Sequence, residues 1–495
     1  MCFVFFVAKP FTGKEKTMER REFLKVGTMA AGAMAVPNIL GAQGSKGRVR
    51  MGFIGVGNRG TQLMHIFMKN PLVEVTALAD IYDPYLRRDD SAFDPKFLEW
   101  GLKGRLPNFR NNDGSLKKQE VELAARIKAG TCRLYTDYKA LLADPNVDAV
   151  CIATPDHWHA IQTIDAIKAG KDVYCEKPLT ATIAEGRAMV NAQKNSRQIV
   201  AVGLNRRGCV PYQELKKALD SGKYGTVRLG RAARTSNIFP NGIGKCPPCE
   251  PPKGFDWNAW LGPRAYRPYK YTIAPYFFRW QIDFSSQVGN WGVHYLDAMR
   301  WMMGESAPCA VTAVGGKYFS PDSDATIPDT MTCTFEFASG KMLEFNVFEG
   351  GLSRPVQAGT VKGELELSSG DAQIIASQSG WEINPVRSRE FANDPVGKFE
   401  PRRYESAEAL LDDGSAESCT KNVINDFVDR CVDRNPDVLC TLEEGHRSTS
   451  FAHLANIAYK LGRRLEWDDE REVFTNCSEA NNLLHYKYRD GYTLG

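Results

Sequence analysis

The chain has 495 residues, 43% hydrophobic and 25% charged, which fits a globular protein of two or three domains and excludes a disordered one. A net charge of +4, with no compact Lys/Arg cluster set among aromatics, excludes nucleic acid as a partner, and no apolar run reaches the length of a membrane span. Thirteen cysteines, odd in number and often inside apolar runs (Cys151, Cys175, Cys333), are expected to be reduced, buried thiols and not a disulfide framework.

Residues 1–46 read as an N-terminal extension. Arg20-Arg21-Glu22-Phe23-Leu24-Lys25 precedes an Ala/Gly-rich, mildly apolar run from Val26 to Val36 and an A-x-A-like end near Ala42. This has the form of a twin-arginine export signal, with Met18 as the expected start and a basic helix as the competing reading. That route carries folded proteins, so a periplasmic product is expected to bring its cofactor with it; a cytoplasmic location is the alternative.

An apolar strand, Met51–Ile54, then runs into Gly55-x-Gly57-x-x-Gly60 and an amphipathic helix over 61–69. Gly55 permits the tight turn, Gly57 lets backbone approach a pyrophosphate, and Gly60 lets helix and strand pack closely. The helix presents unpaired N–H groups and its positive dipole end to the phosphates. Asp80 ends the next strand, Val73–Ala79, where its carboxylate can accept from an adenosine ribose. It would repel a 2′-phosphate, which favours NAD over NADP. Arg87 and Arg88 are positioned to offset that repulsion, although a solvated surface pair is the preferred reading of both.

After Asp80 a polar stretch, about 83–130, reads as an insertion with a helix over 119–128. The apolar strand 147–153 ends in Thr154-Pro155-Asp156-His157-Trp158-His159, and a helix follows to Gly170. Strand Asp172–Cys175 ends in Glu176-Lys177-Pro178, and strand Gln198–Leu204 in Asn205. Strands alternating with helices of this length predict a doubly wound parallel sheet, whose ligands sit beyond the carboxyl ends of its strands. Gly55, Asp80, Thr154, Glu176 and Asn205 all fall at such ends.

Beyond Tyr212, strand-like segments dominate: 227–233, 310–314, 331–337, 342–348 and 364–367. They predict an α+β domain on a large, mostly antiparallel open sheet. Helices over 421–434 and 442–463 are expected to pack back on the core. The expected boundaries are 47–178 for the Rossmann domain, 179–415 for the α+β domain and 416–495 for the C-terminal helices and tail. No metal site is expected; the Cys246/Cys249 pair is open to either a loop disulfide or zinc.

GxGxxG, ThrPro-x-x-x-His and Glu-Lys-Pro in this order resemble the Gfo/Idh/MocA family of nucleotide-dependent oxidoreductases, in its exported branch near glucose–fructose oxidoreductase-like proteins and NAD-dependent glycosidases. The resemblance runs from Arg48 onward, including Glu444–Ser448 and Asn456–Tyr459. It implies that Gly55, Gly57, Asn58, Arg59, Gly60, Asp80, Thr154, Pro155, Trp158, His159, Glu176, Lys177 and Asn205 bind the dinucleotide. It also implies a cis Lys177–Pro178 bond, a Lys177 that reaches the reacting hydroxyl, and dimers or tetramers. Asn290-Trp291-Gly292-Val293-His294 looks like the family segment in which an acid and a histidine stand four residues apart, but the acid position is Asn290.

Lys177 and His294 are therefore the catalytic candidates, with a surface lysine and a structural histidine as the competing readings. Arg279, Trp280, Asn290, Trp291, Tyr295 and Asp297 are candidates for the carbohydrate, although packing accounts for the aromatics nearly as well and Asp297 has packing or capping as its other reading. His446 and His453 are expected to be structural. The leading expectation is an NAD-dependent oxidoreductase acting on a sugar or glycoside at a secondary ring hydroxyl, its cofactor tightly bound and recycled in place. A redox-neutral NAD-dependent glycosidase and a catalytically silent NAD-bound sugar-binding protein are the alternatives.

Overall fold

Six apolar strands form the first sheet: β1 (Val49–Ile54), β2 (Val73–Ala79), β3 (Arg133–Tyr135), β4 (Ala149–Ile152), β5 (Asp172–Cys175) and β6 (Val200–Val202). The computed structural model of the chain describes residues 47–494 except 104, 106, 237, 351–362, 387–397 and 406–415, so the expected leader lies outside the described residues. The strands are all parallel, in the order β3-β2-β1-β4-β5-β6. β4 and β5 are buried at every position, as continuous apolar runs between two helical layers must be. Because β6 pairs with β5, this sheet ends beyond the boundary expected at 178. The reversal of strand order beside β1 opens a crevice at the carboxyl ends of β1 and β4.

The second sheet contains β7 (Val227–Thr235), β8 (Ala310–Gly316), β9 (Thr330–Glu336), β10 (Met342–Phe348), β11 (Leu365–Ser369), β12 (Ala372–Ser377), β13 (Gly380–Pro385), β14 (Arg402–Glu405), β15 (Leu465–Asp468) and β16 (Val473–Phe474). Its order is β14-β13-β12-β11-β7-β10-β9-β8-β15-β16, antiparallel except where β7 meets β10. β9 and β10 alternate. Met331, Cys333, Phe335, Leu343, Phe345 and Val347 point into the core, where helices Val293–Met303 and Leu442–Leu461 cover them. Lys177, at the end of β5, is bonded to Asn290 in the turn before the helix Val293–Met303, which joins the second sheet's helical layer to the strand ends of the first.

The helix Ala416–Asp433 returns to the first sheet, with Phe427 beside Phe67 and Tyr174 at ring separations of 6.3 and 5.9 Å. A disulfide joins Cys209 to Cys419 there, which corrects the expectation that the thiols are all reduced. The two cysteines are 210 residues apart, so no spacing in the sequence announces the pair. Gly208 permits the approach, since a Cβ on it would lie 2.3 Å from the Cys419 carbonyl oxygen. Cys246 and Cys249 are both free thiols, so the loop disulfide is not formed. Among the described residues no cluster of three metal-ligating side chains occurs, and no helix is long and apolar enough to cross a membrane.

Candidate active site

The glycine turn is built as its spacing requires. Gly55 has φ +82°, and a Cβ on Gly60 would fall 1.8 Å from the Gly55 carbonyl oxygen. Gly57 caps the helix Asn58–Phe67, which starts three residues earlier than expected, and around it the nearest atom to an added Cβ is a Tyr85 ring carbon at 3.9 Å. No side chain bonds this helix end and no acidic residue lies in its first turn. Its N–H groups and positive dipole end are left for an outside anion, which fits a dinucleotide pyrophosphate. Asn58 is held by the insertion: Tyr85 Oη donates to its Oδ1 at 3.1 Å and Asn108 Nδ2 to its carbonyl at 2.8 Å.

Asp80 accepts from the Val56 and Tyr82 backbone N–H groups at 2.8 and 2.9 Å. Burial raises its pKa, against these bonds and Arg88. Each carboxylate oxygen keeps a second lone pair for a ribose hydroxyl. Arg87 is the exposed surface residue expected, paired with Asp83. Arg88 is not: it is buried over the Phe109 ring and donates to Glu120 twice, to the Val56 and Tyr85 carbonyls and to Thr61 Oγ1. All five of its donors are engaged, so none remains for a 2′-phosphate. NAD is expected to bind about 100-fold or more tighter than NADP, since a like-charge contact costs several kcal/mol. Fluorescence titrations with NADH and NADPH check this, and equal affinities would remove the Asp80 assignment.

At the end of β4 Thr154 Oγ1 donates to Gln162 at 2.6 Å, and Pro155 caps the helix Asp156–Lys168. His159 ties this turn to the next, its Nδ1 2.9 Å from the Pro178 carbonyl oxygen and its Nε2 2.7 Å from that of Thr154. Two carbonyl acceptors require both nitrogens to donate, so the ring is protonated. Burial opposes this, and Cys175, Asp156 and the Thr154 carbonyl outweigh it, raising the pKa to about 10. Arg59 Nε and Nη2 donate to Glu176 Oε1 at 3.0 and 2.8 Å, which links the glycine helix to the end of β5. Trp158 and Asn205 are drawn into packing: the Trp158 indole donates to the Trp260 carbonyl at 3.0 Å and lies over Gly262, and the Asn205 amide meets Arg206 and Thr420.

The Lys177–Pro178 bond is cis. Lys177 Nζ donates to Asn290 at both its carbonyl oxygen, 2.8 Å, and its Oδ1, 3.2 Å. Asn290 sits in a π-helical turn, Val288–Gly292, that leads into the helix Val293–Met303. Burial lowers the Lys177 pKa to about 8, with Arg59 and Arg279 adding to the effect against Glu176 and Asp156. Asn290, the residue at the acid position, thus serves the lysine. His294 is 7% exposed and its Nδ1 has no partner among the described residues. Burial, then the charges of Arg206, Lys177, Arg59 and Arg234, hold it well below the usual histidine pKa. It is a neutral imidazole and a weak base, and the lysine amine is the stronger one.

The remaining substrate candidates divide. Trp291 lies under the Arg234 guanidinium at 3.8 Å, and Tyr295 stacks on Phe345 with Arg206 5.1 Å above its ring. Arg279 donates to the Tyr276 carbonyl and lies 4.4 Å over the Phe278 ring. Trp280 is a core residue, packed with Ile243, Phe277 and Ile327, which corrects its reading as a sugar platform. Asp297 is also corrected: it is fully buried and accepts from Arg207 and from Ser448 Oγ. His446 is structural as expected, bonded to Glu472 at 2.6 Å, and His453, facing Thr180, is partly buried, its pKa lowered to about 4 by desolvation.

Sequence reasoning missed Asp156, Arg206 and Arg234. Asp156 is buried, bonded by Ser285 Oγ, and acts electrostatically on Lys177. Its position directly after Thr154-Pro155 was an available signal, and Arg206 likewise follows Asn205. Arg234, on β7, carried no local signal.

Three family models match the chain in order: an NAD-binding Rossmann fold of an oxidoreductase family over residues 113–204, the Gfo/Idh/MocA C-terminal domain over 261–354, and the C-terminal alpha/beta domain of the oxidoreductase family over 410–494. The chain belongs to the Gfo/Idh/MocA oxidoreductase family. Within the family it is similar to inositol 2-dehydrogenase 2 of Saccharopolyspora erythraea, 28% identical over 54% of this chain and 67% of that protein. It is also similar to levoglucosan dehydrogenase of Pseudarthrobacter phenanthrenivorans, 29% identical over 39% of this chain and 42% of that protein. Alignments to the curated relatives span from 31% to 67% of their lengths. The fold matches a levoglucosan dehydrogenase solved with NADH and levoglucosan, at a TM-score of 0.55 and 18% identity over 85% of this chain and 99% of the other. The family's cofactor is NAD, and the glycine turn, the uncapped helix end and Asp80 supply the groups that hold it.

Proposed function

We propose that this protein is an NAD-dependent oxidoreductase that oxidises a secondary ring hydroxyl of a sugar or glycoside, with Lys177 as the general base. The observation that carries the reading is the lysine amine on Asn290 at the mouth of the cofactor crevice, with its pKa near 8. A neutral amine that donates to both Asn290 oxygens keeps its lone pair free to take the hydroxyl proton. His294, neutral and without a partner at Nδ1, offers one further hydrogen bond to that oxygen or its neighbour. NAD, when bound, accepts the hydride. Dehydrogenases of inositol and levoglucosan among the relatives support a polyhydroxylated ring as substrate.

A second reading shares the first step. In a redox-neutral glycosidase, oxidation at C3 acidifies the neighbouring C–H, the aglycone is eliminated, water adds, and the hydride returns. The Arg20-Arg21 leader favours it, because we also propose export by the twin-arginine route, and an exported enzyme has no ready pool of NAD. The Asn108 bond from the insertion to the cofactor turn supports a retained cofactor. Incubating the purified protein with a glycoside panel separates the two. Lasting NADH absorbance or a keto-sugar identifies the dehydrogenase. Aglycone release with deuterium entering C2 and no net cofactor change identifies the glycosidase. Neither signal from any glycoside would leave a silent sugar-binding protein. Mature chain confined to the cytoplasm would remove export and the retention argument with it.

A further inference from the structure

The substrate side of the crevice holds more buried positive charge than its carboxylates neutralise. Arg206 is 4% exposed; one of its terminal nitrogens meets Glu364 at 3.1 Å and the other Asn205 at 3.2 Å, while its Nε is buried with no partner among the described residues. The Arg234 guanidinium lies 3.8 Å over the Trp291 ring and bonds the Tyr295 hydroxyl; its Nε is likewise buried and unpartnered, and no described carboxylate forms an ion pair with it. Arg206 lies 5.1 Å over the Tyr295 ring, one helical turn after the Trp291 that Arg234 covers, and both guanidinium groups act electrostatically on His294 and Tyr295. Lys177 acts on the same imidazole. The counter-charges facing the group are Glu364 on Arg206, and Glu176 and Asp156 on the lysine side.

A buried guanidinium N–H without an acceptor is costly, and an anion placed between Arg206 and Arg234 would supply one to both. The cofactor's phosphates do not supply it: they belong at the helix end beside Gly57, whereas Arg234 stands on β7 of the second sheet. A planar fork stacked on an indole is suited to a carboxylate or phosphate, and a neutral hydroxyl satisfies it poorly.

We propose that the sugar oxidised here is anionic, carrying a carboxylate or phosphate group that docks between Arg206 and Arg234 while its reacting hydroxyl lies at Lys177 and His294. This deepens the oxidoreductase reading and rests on it for the position of the hydroxyl. The test is a calorimetric titration of the NADH-loaded protein with the methyl glycosides of glucose, galactose and mannose, each compared with its uronate and its 6-phosphate. At least one anionic member is expected to bind about 10- to 100-fold tighter than its neutral parent, the effect of one or two charge-assisted hydrogen bonds. Preference for the uronate assigns the group as carboxylate, and preference for the 6-phosphate assigns it as phosphate. Arg234→Gln is expected to shrink that ratio at least about tenfold, and Arg234→Lys, which keeps the charge without the fork, to fall between. Neutral parents binding as tightly as the anionic members in all three series overturns the proposal, whatever the variants do. Because the readout is binding, an anion preference without NADH formation from NAD-loaded protein would separate failure of the oxidoreductase reading from failure of this one.

Discussion

Replacing Lys177 by methionine is expected to lower kcat/KM for sugar oxidation about 10²- to 10⁴-fold, the range over which a positioned general base acts. Methionine replaces the aliphatic stem as far as Cε and lacks only the amine, so packing beside Pro178 and the π-helical turn is retained. Only the Asn290 oxygens lose a donor, and they border the crevice. Affinity for NADH is expected to stay within a few-fold, since the groups that hold the cofactor are on β1, β2 and the glycine helix. In the unaltered protein the rate should also rise with pH. Burial lowers the lysine pKa to about 8, so the neutral, basic form grows as pH rises through 8 and is lost as pH falls. About a tenth of the lysines are neutral at pH 7, against about one in three thousand at the ordinary pKa near 10.5. Steady-state kinetics from pH 6 to 10 checks both points. Methionine in place of Lys177 with full activity, or a flat profile across pH 8, would move the base elsewhere.

Asp297→Ala is expected to destabilise the fold by about 3–5 kcal/mol, the usual cost of removing one partner from a buried ion pair. Arg207 Nε and Nη2 donate to this carboxylate at 2.8–3.1 Å, and Ser448 Oγ adds a third donor at 2.6 Å. With Asp297 gone, Arg207 retains Glu444 alone, and Arg300, bonded to the same Glu444 and to Ser448, is left in a site poorer in negative charge. Arg207→Met should recover part of the loss in the double variant, because an apolar side chain replaces the stranded cation. Chemical denaturation of the two single variants and the double variant measures the coupling. Unchanged stability with a raised KM would return Asp297 to the substrate.

Asp297 also shows why one part of the site was legible and another was not. Gly55, Gly57 and Gly60 act within a single turn, so spacing alone defines the backbone they form, and the structure has that turn. The apolar runs before Thr154, Glu176 and Lys177 are plain and place these residues at strand ends, and the structure puts them there. Asp297 lies three residues from His294, but its partners are 90 and 151 residues away in the chain. Residues three apart share a helix face, yet the side chain of Asp297 is taken up by Arg207 and by Ser448 of the helix Leu442–Leu461. Arg88 was misread for the same reason, since Glu120 lies 32 residues on, across the insertion. Trp280 and Trp291 are both tryptophans in polar surroundings; only packing sends the first into a satellite core and the second under Arg234.

The sequence by itself determined the parallel sheet, the dinucleotide turn, the acidic residue at the second strand end and the lysine at the fifth. These depend on periodicity, glycine geometry and contacts within a few residues. The tertiary structure decided which charges meet. It bound Asn290 to Lys177 instead of His294, closed Arg88 off from the cofactor, paired Cys209 with Cys419, and set two arginines with unpartnered nitrogens beside the catalytic candidates. Coulombic and hydrogen-bonding energies fall off within a few ångströms, so they follow separation in space, and no local pattern in the sequence fixes that separation.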